Sequence, residues 1–101
     1  MDTDEKYIER CLMLAAAGAG MVAPNPMVGA VVVHRERIIG EGYHRQFGGA
    51  HAEVHAIASV RDEALLRDST LYVNLEPCPM CAGAILQARI PRLQMAIRNP
   101  K

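Results

Sequence analysis

The sequence has no net charge, with 11 Lys and Arg against 11 Asp and Glu. The molecule as a whole therefore exerts no strong pull on polyanions. It has no apolar run long enough to cross a bilayer, and no N-terminal stretch joining a basic start, an apolar run and a cleavage site. These absences predict a cytoplasmic chain whose thiols stay reduced. Its 3 cysteines cannot build a full disulfide framework, so metal ligation is the better use for two of them. No internal repeat or low-complexity segment is present. Acidic residues are missing from Pro77 onward, where Arg89, Arg92, Arg98 and Lys101 make the last quarter basic. Such a quarter can touch phosphate, although a solvated face is the commoner explanation.

What is present fits one small domain over residues 1–101, with 50% hydrophobic and 22% charged residues. A domain of this size buries only about 60–68% of the surface its unfolded chain exposes. A metal clip or subunit contacts would help it.

Residues 4–17 read as a helix, with Tyr7, Ile8, Cys11, Leu12 and Ala15 at helical spacing and acids near its start. Gly18, Gly20 and the stiff "APNP" at 23–26 end it. "VGAVVVHRERIIGEGYH" gives a hairpin with a polar turn at His34–Arg37. "HAEVHAIASV" (51–60) is helical and "RDEALLRD" is a polar, partly helical link. "STLYVNLEP" (69–77) is a strand that stops at proline. "MCAGAILQAR" (80–89) is a helix with Pro79 at its first turn, and "RLQMAIR" is a last short strand. The order α-β-β-α-β-α-β predicts an α/β fold with helices packed over a central mixed sheet.

Two thiols three positions apart, Cys78 and Cys81, admit a redox pair, part of a structural zinc site or part of a catalytic metal centre. A redox pair leaves His51-Ala52-Glu53 unexplained. Both segments open helices that follow a loop or a strand end, which puts them on one edge of the sheet. One imidazole and two thiolates leave a tetrahedral zinc ion with one position for water, the pattern of a catalytic site. Two thiolates and a neutral imidazole also balance the zinc charge. Helix N-termini lower thiol pKa values, which favours the thiolates the metal needs. Zinc lowers the pKa of bound water from 15.7 to roughly 7. Glu53 can lean over that water without ligating zinc and carry its proton to a leaving group. His-x-Glu followed by Pro-Cys-x-x-Cys is the signature of zinc deaminases that act on nucleobases. A folding zinc site with a surface glutamate is the other metal reading.

Softer candidates surround these residues. His55, four positions after His51, is expected to be a solvated or packing histidine. His44 ends the second strand beside the loop to His51 and either reaches the pocket or stays at the surface. Asn25, between two prolines, either binds an amino-carbonyl edge or only makes the turn. Cys11 belongs to the core, and the scattered methionines read as packing.

At "PNPMVGAVVV", "IIGEGYH", "GGAHAEVHAI" and "STLYVNLEPC" the sequence resembles the cytidine/deoxycytidylate deaminase superfamily. Within it, the nearest likeness is to the deaminase domain of bifunctional riboflavin-biosynthesis deaminase/reductases. The resemblance implies a three-layer cytidine-deaminase-like fold with zinc bound by His51, Cys78 and Cys81. It implies proton transfer by Glu53, and places Asn25 and His44 at substrate contacts. The implied substrate is a phosphoribosylated diaminopyrimidinone, and the implied assembly a homo-oligomer, in keeping with an edge strand near the C-terminus.

One segment departs from that pattern. The riboflavin family usually has a longer stretch between its metal cysteines, with basic and threonine residues that help hold substrate. Here "PCPMC" and "CAGAILQARIPRLQMAIRNPK" are similar to tRNA adenosine and guanine deaminases. The expected alternatives are therefore a deaminase of bases in nucleic acid or of free guanine or cytosine compounds, and a non-catalytic zinc-stabilised module. The chain also stops where the superfamily continues into a further strand and helix, so truncation is expected.

Overall fold

The computed structural model describes residues 3–97. The elements follow as α1 (Thr3–Ala16), β1 (Gly29–His34), β2 (Arg37–Tyr43), α2 (Ala52–Ala58), β3 (Ser69–Leu75), α3 (Pro79–Gln87) and β4 (Arg92–Ile97). A short 3-10 helix, Glu63–Asp68, occupies the polar link before β3. The order is the expected one. The segments read as 51–60 and 69–77 are shorter, because His51 stands just outside its helix and Glu76-Pro77 leave the ladder after Leu75.

The sheet runs β2-β1-β3-β4. β1 is antiparallel to both neighbours and β3 is parallel to β4, with α3 as the crossover. β1 reads as an unbroken apolar run because both its faces are covered. Val31 and Val33 pack with Tyr7 and Cys11 of α1 and with Tyr72. Ala30 and Val32 pack with Ala52 and Ala56 of α2, Leu71 and Val73 of β3, and Ile85 of α3. Helices on both faces of a mixed sheet are the three layers expected. Among the described residues no helix is long and apolar enough to cross a membrane.

Cys11 lies in the core as expected; its thiol donates to the Tyr72 carbonyl at 3.3 Å. Burial pushes that thiol up to about 12. The methionines differ from expectation: Met13, Met21, Met27 and Met80 are exposed, while Met95 packs against the core. The reason for Met13 is positional, because α1 buries the Tyr7, Cys11 and Ala15 stripe and Met13 lies off it. Of the basic last quarter, Arg89 and Arg92 are exposed, whereas Arg98 and Lys101 lie outside the described residues.

Close seating positions the helix that matters most. A methyl group added at Gly42 of β2 would run into the backbone of Ala52 and Ala56, so α2 rests directly on the sheet. α1 is tied to β2 by the Arg10 guanidinium, which donates to both Glu41 carboxylate oxygens at 2.6 and 3.0 Å. The hairpin turns through Arg35 (φ 49°) and Glu36 (φ 66°), a two-residue loop of the twist hairpins favour. α3 ends on Arg89 (φ 62°). There the Arg89 and Ile90 amides donate to the Leu86 and Ile85 carbonyls, a left-handed stop usually built with glycine.

Candidate metal centre and its cleft

Both halves of the centre are helix starts. His51 is the N-cap of α2 and Cys78 the N-cap of α3, each in extended conformation (ψ 165°). Pro79 at the first helical position suits this start, since its missing amide would have had no helical partner. Neither N-cap side chain bonds its own helix, which leaves imidazole and thiol free to face each other. Cys81 sits one turn into α3 and points inward, fully buried.

The His51 Nδ1 atom lies 3.2 Å from Cys81 Sγ and 3.6 Å from Cys78 Sγ. One donor atom from each of the three residues falls within 4.8 Å of the others. A tetrahedral zinc ion with Zn–N of 2.0–2.1 Å and Zn–S of 2.3 Å needs N···S separations of about 3.5 Å. The donor set fits the ion in chemistry and in spacing. His55 is not part of this group; burial first, then Arg45 and His44, hold its imidazole below the ordinary range.

The Cys81 thiol differs from expectation in one respect. Burial pushes the Cys81 thiol up, and the Glu53 carboxylate and Cys78 add to it. A helix start alone would lower it, but a sulfur turned into the core beside a carboxylate feels desolvation and like charge more strongly. A divalent cation among these groups inverts that balance.

A cleft of about 240 Å³ opens beside the centre. Its lining falls into two stretches of wall: His51, Glu53, Cys78, Leu75 and Glu76 come from the helix starts and the end of β3, and Asn25, Pro26, Val28 and His44 from loops. Glu53, in the first turn of α2, is buried yet faces this cleft, so two residues' separation from His51 does not turn it away. His44 is buried as well. Its Nδ1–H donates to the Ala50 carbonyl at 3.2 Å, which leaves Nε2 to accept from Asn25 Nδ2 at 3.4 Å. Its ring meets His51 edge-on, centroids 5.1 Å apart. Every residue picked out from the sequence as a site residue is thus brought to one place. One residue was missed. Asn74 is buried and bonds the Met27–Gly29 backbone behind the cleft, and its only signal was an amide in the apolar run "LYVNL".

A three-layer α/β domain that gathers one imidazole and two thiols at the ends of two helices is a zinc-binding domain with three protein donors. The chain belongs to the cytidine and deoxycytidylate deaminase family, whose zinc-binding region matches residues 1–97. It is 42% identical to the riboflavin biosynthesis protein RibD of Synechocystis over 106 aligned positions, covering 99% of this chain and 28% of that protein. It is 36% identical to the diaminohydroxyphosphoribosylamino-pyrimidine deaminase of Buchnera aphidicola, covering 96% of this chain and 69% of that one. The crystal structure of a deaminase/reductase from Thermotoga maritima superposes with a TM-score of 0.90 at 42% identity, covering 98% of this chain and 30% of the other. A tRNA:A34 deaminase superposes with a TM-score of 0.81 at 35% identity, covering 98% and 80%. The chain thus spans less than a third of the length of the bifunctional relatives. The cytidine-deaminase-like fold and the zinc cofactor are as the sequence led one to expect. The 106 aligned positions exceed the chain's 101 residues, so the Synechocystis protein carries residues with no counterpart here.

Proposed function

We propose that residues 1–101 act as one zinc-dependent hydrolytic deaminase domain. It replaces an exocyclic ring amine by a carbonyl and releases ammonia, acting on a phosphoribosylated diaminopyrimidinone of riboflavin biosynthesis. The observation that carries this reading is the convergence of His51, Cys78 and Cys81 beside a buried glutamate in an open cleft. The RibD relatives and the Buchnera deaminase support the substrate.

His51 Nδ1 and the sulfurs of Cys78 and Cys81 hold the zinc. When bound, zinc supplies a Lewis acid that lowers the pKa of water toward 7. Glu53 takes a proton from water on its carboxylate and delivers it to a ring nitrogen; it then takes the second proton, from the hydroxyl now on the ring carbon, and passes it to the departing amine. Water and the amino-substituted ring carbon become a carbonyl and ammonia, so the balance closes. Asn25 gives its Nδ2 to His44, which leaves its Oδ1 to accept from a substrate N–H. His44, locked by Ala50 and Asn25, walls the ring against the metal.

The compact Pro77–Cys81 segment and the likeness to the tRNA:A34 deaminase favour a second reading, deamination of a base in RNA. Under it Arg89 and Arg92 would contact phosphate, and affinity would fall steeply with salt. A cytoplasmic location and assembly with further copies belong to the same proposal. The apolar side chains exposed on α2 and α3, Val54, Met80 and Leu86, support assembly, which light scattering tests. The deciding assay is ammonia release from a panel of the diaminopyrimidinone, guanine, cytidine and tRNA. Turnover of the diaminopyrimidinone alone is expected; turnover of tRNA alone would move the assignment, and no turnover with zinc bound would leave a non-catalytic module.

A further inference from the structure

The antiparallel ladder between β1 and β3 ends at the pair Ala30 and Val73. One step further, a side chain takes over from the backbone. Asn74 Oδ1 accepts from the Gly29 amide at 2.8 Å, and its Nδ2 donates to the Met27 carbonyl at 3.2 Å. These two bonds bracket Val28, whose side chain lines the cleft and whose carbonyl accepts from the His44 amide at 2.9 Å. Immediately before Met27 come Asn25 and Pro26, which line the same wall. Immediately after Asn74 come Leu75 and Glu76, which line the other stretch of wall and lead to Cys78. The buried Asn74 carboxamide therefore ties together the backbone that leads into the two stretches of wall. Gly29 cannot retreat, because α1 lies so close that a methyl group there would run into the Cys11 carbonyl.

We propose that Asn74 is a positioning residue for substrate. It holds the Asn25–Val28 segment at a fixed distance from the metal-bearing end of β3, and so sets where Asn25 and His44 meet the ring. This rests on the deaminase reading above. Asparagine suits the task because it offers an acceptor and a donor on one short side chain; an apolar replacement leaves both backbone groups without their partner.

Three single variants, Asn74→Ala, Asn74→Asp and Asn25→Ala, and their double combinations test it, with zinc content confirmed for each. Asn74→Ala should raise KM on the order of tenfold with kcat changed much less, and should speed hydrogen exchange at the Gly29 amide. Asn74→Asp keeps the acceptor for Gly29 and loses the donor to Met27, so it should fall between parent and Asn74→Ala. In an Asn25→Ala background the Asn74 change should cost less than in the parent, because one of the two groups it positions is already gone. Full additivity there, or a parent-like KM for Asn74→Ala with zinc retained, overturns the proposal. Should Asn74→Ala fail to fold, Asn74→Asp alone and with Asn25→Ala decides by the same criteria. A parent chain that binds zinc but releases no ammonia from any member of the panel overturns the deaminase reading and this proposal with it. An active parent with parent-like Asn74 variants overturns only this one.

Discussion

The two walls of the cleft are built by different means. The metal wall stands on the first turns of two helices, with His51, Glu53, Cys78 and Cys81 at positions set by secondary structure and by the close seat of α2 on Gly42. The other wall is loop: Asn74 bonds the Met27 carbonyl and the Gly29 amide on either side of Val28, and His44 bonds Ala50, Asn25 and the Val28 carbonyl. The metal wall rests on helix starts; the loop wall rests on individual side-chain and backbone hydrogen bonds. The proposed chemistry thus falls on helix starts, and the proposed recognition on loop.

If the walls differ in this way, damage to each should look different. The largest effect is expected from His51→Ala or Cys81→Ser, which should cost the bound zinc and bring turnover below detection, as metal analysis and ammonia assay would read. A variant with full zinc content would remove that residue from the donor set. Next comes Leu71→Ala, beneath the metal wall and fully buried. It should lower stability by about 2–5 kcal/mol in denaturant unfolding. His44→Ala, on the loop wall, should raise KM about tenfold, a loss near 1.4 kcal/mol, with zinc and melting little changed. A loss of zinc instead would mean that the walls are not separable.

Cys11 lies behind the loop wall, against the α1 side of β1. Its thiol stands at about 12 in the folded chain against 9.0 ordinarily. The unfolded chain therefore gives up that proton first. This part of the stability is complete below pH 9 and declines as pH rises toward 12, by up to about 1.4 kcal/mol per unit. Unfolding of parent and Cys11→Ala between pH 8 and 11 should show a shallower decline in the variant; equal slopes would assign the decline to other groups. The smallest effect should come from Arg89→Gly, which relieves a left-handed backbone at the end of α3 and should add about 0.5–1 kcal/mol. No gain would mean that the Arg89 side chain offsets the strain.

The same contrast explains what could be read from the sequence. Helix and strand order followed from spacing, from Pro77 as a strand stop and from Pro79 as a helix start. The donor set followed because Cys-x-x-Cys and His-x-Glu at helix starts impose their own geometry. Glu53 was legible as a neighbour of the donor set but not as a direction; its aim into the cleft comes from the packing of α2 on β2. Asn74 was not legible, since its partners lie 45 and 47 positions away and no local pattern announces a side chain that continues a ladder. The exposure of Met13 and Met80 escaped for a related reason, because composition does not say which helix face meets the sheet. The Cys81 thiol ran opposite to a rule about helix ends because burial depth is tertiary information.

The most direct measurement pairs zinc content with ammonia release for the parent and Glu53→Ala on the diaminopyrimidinone. Full zinc in both, with release by the parent and a loss on the order of 10²–10⁴-fold in the variant, is the outcome this account predicts. Equal rates in the two proteins, or zinc lost along with the carboxylate, would contradict it.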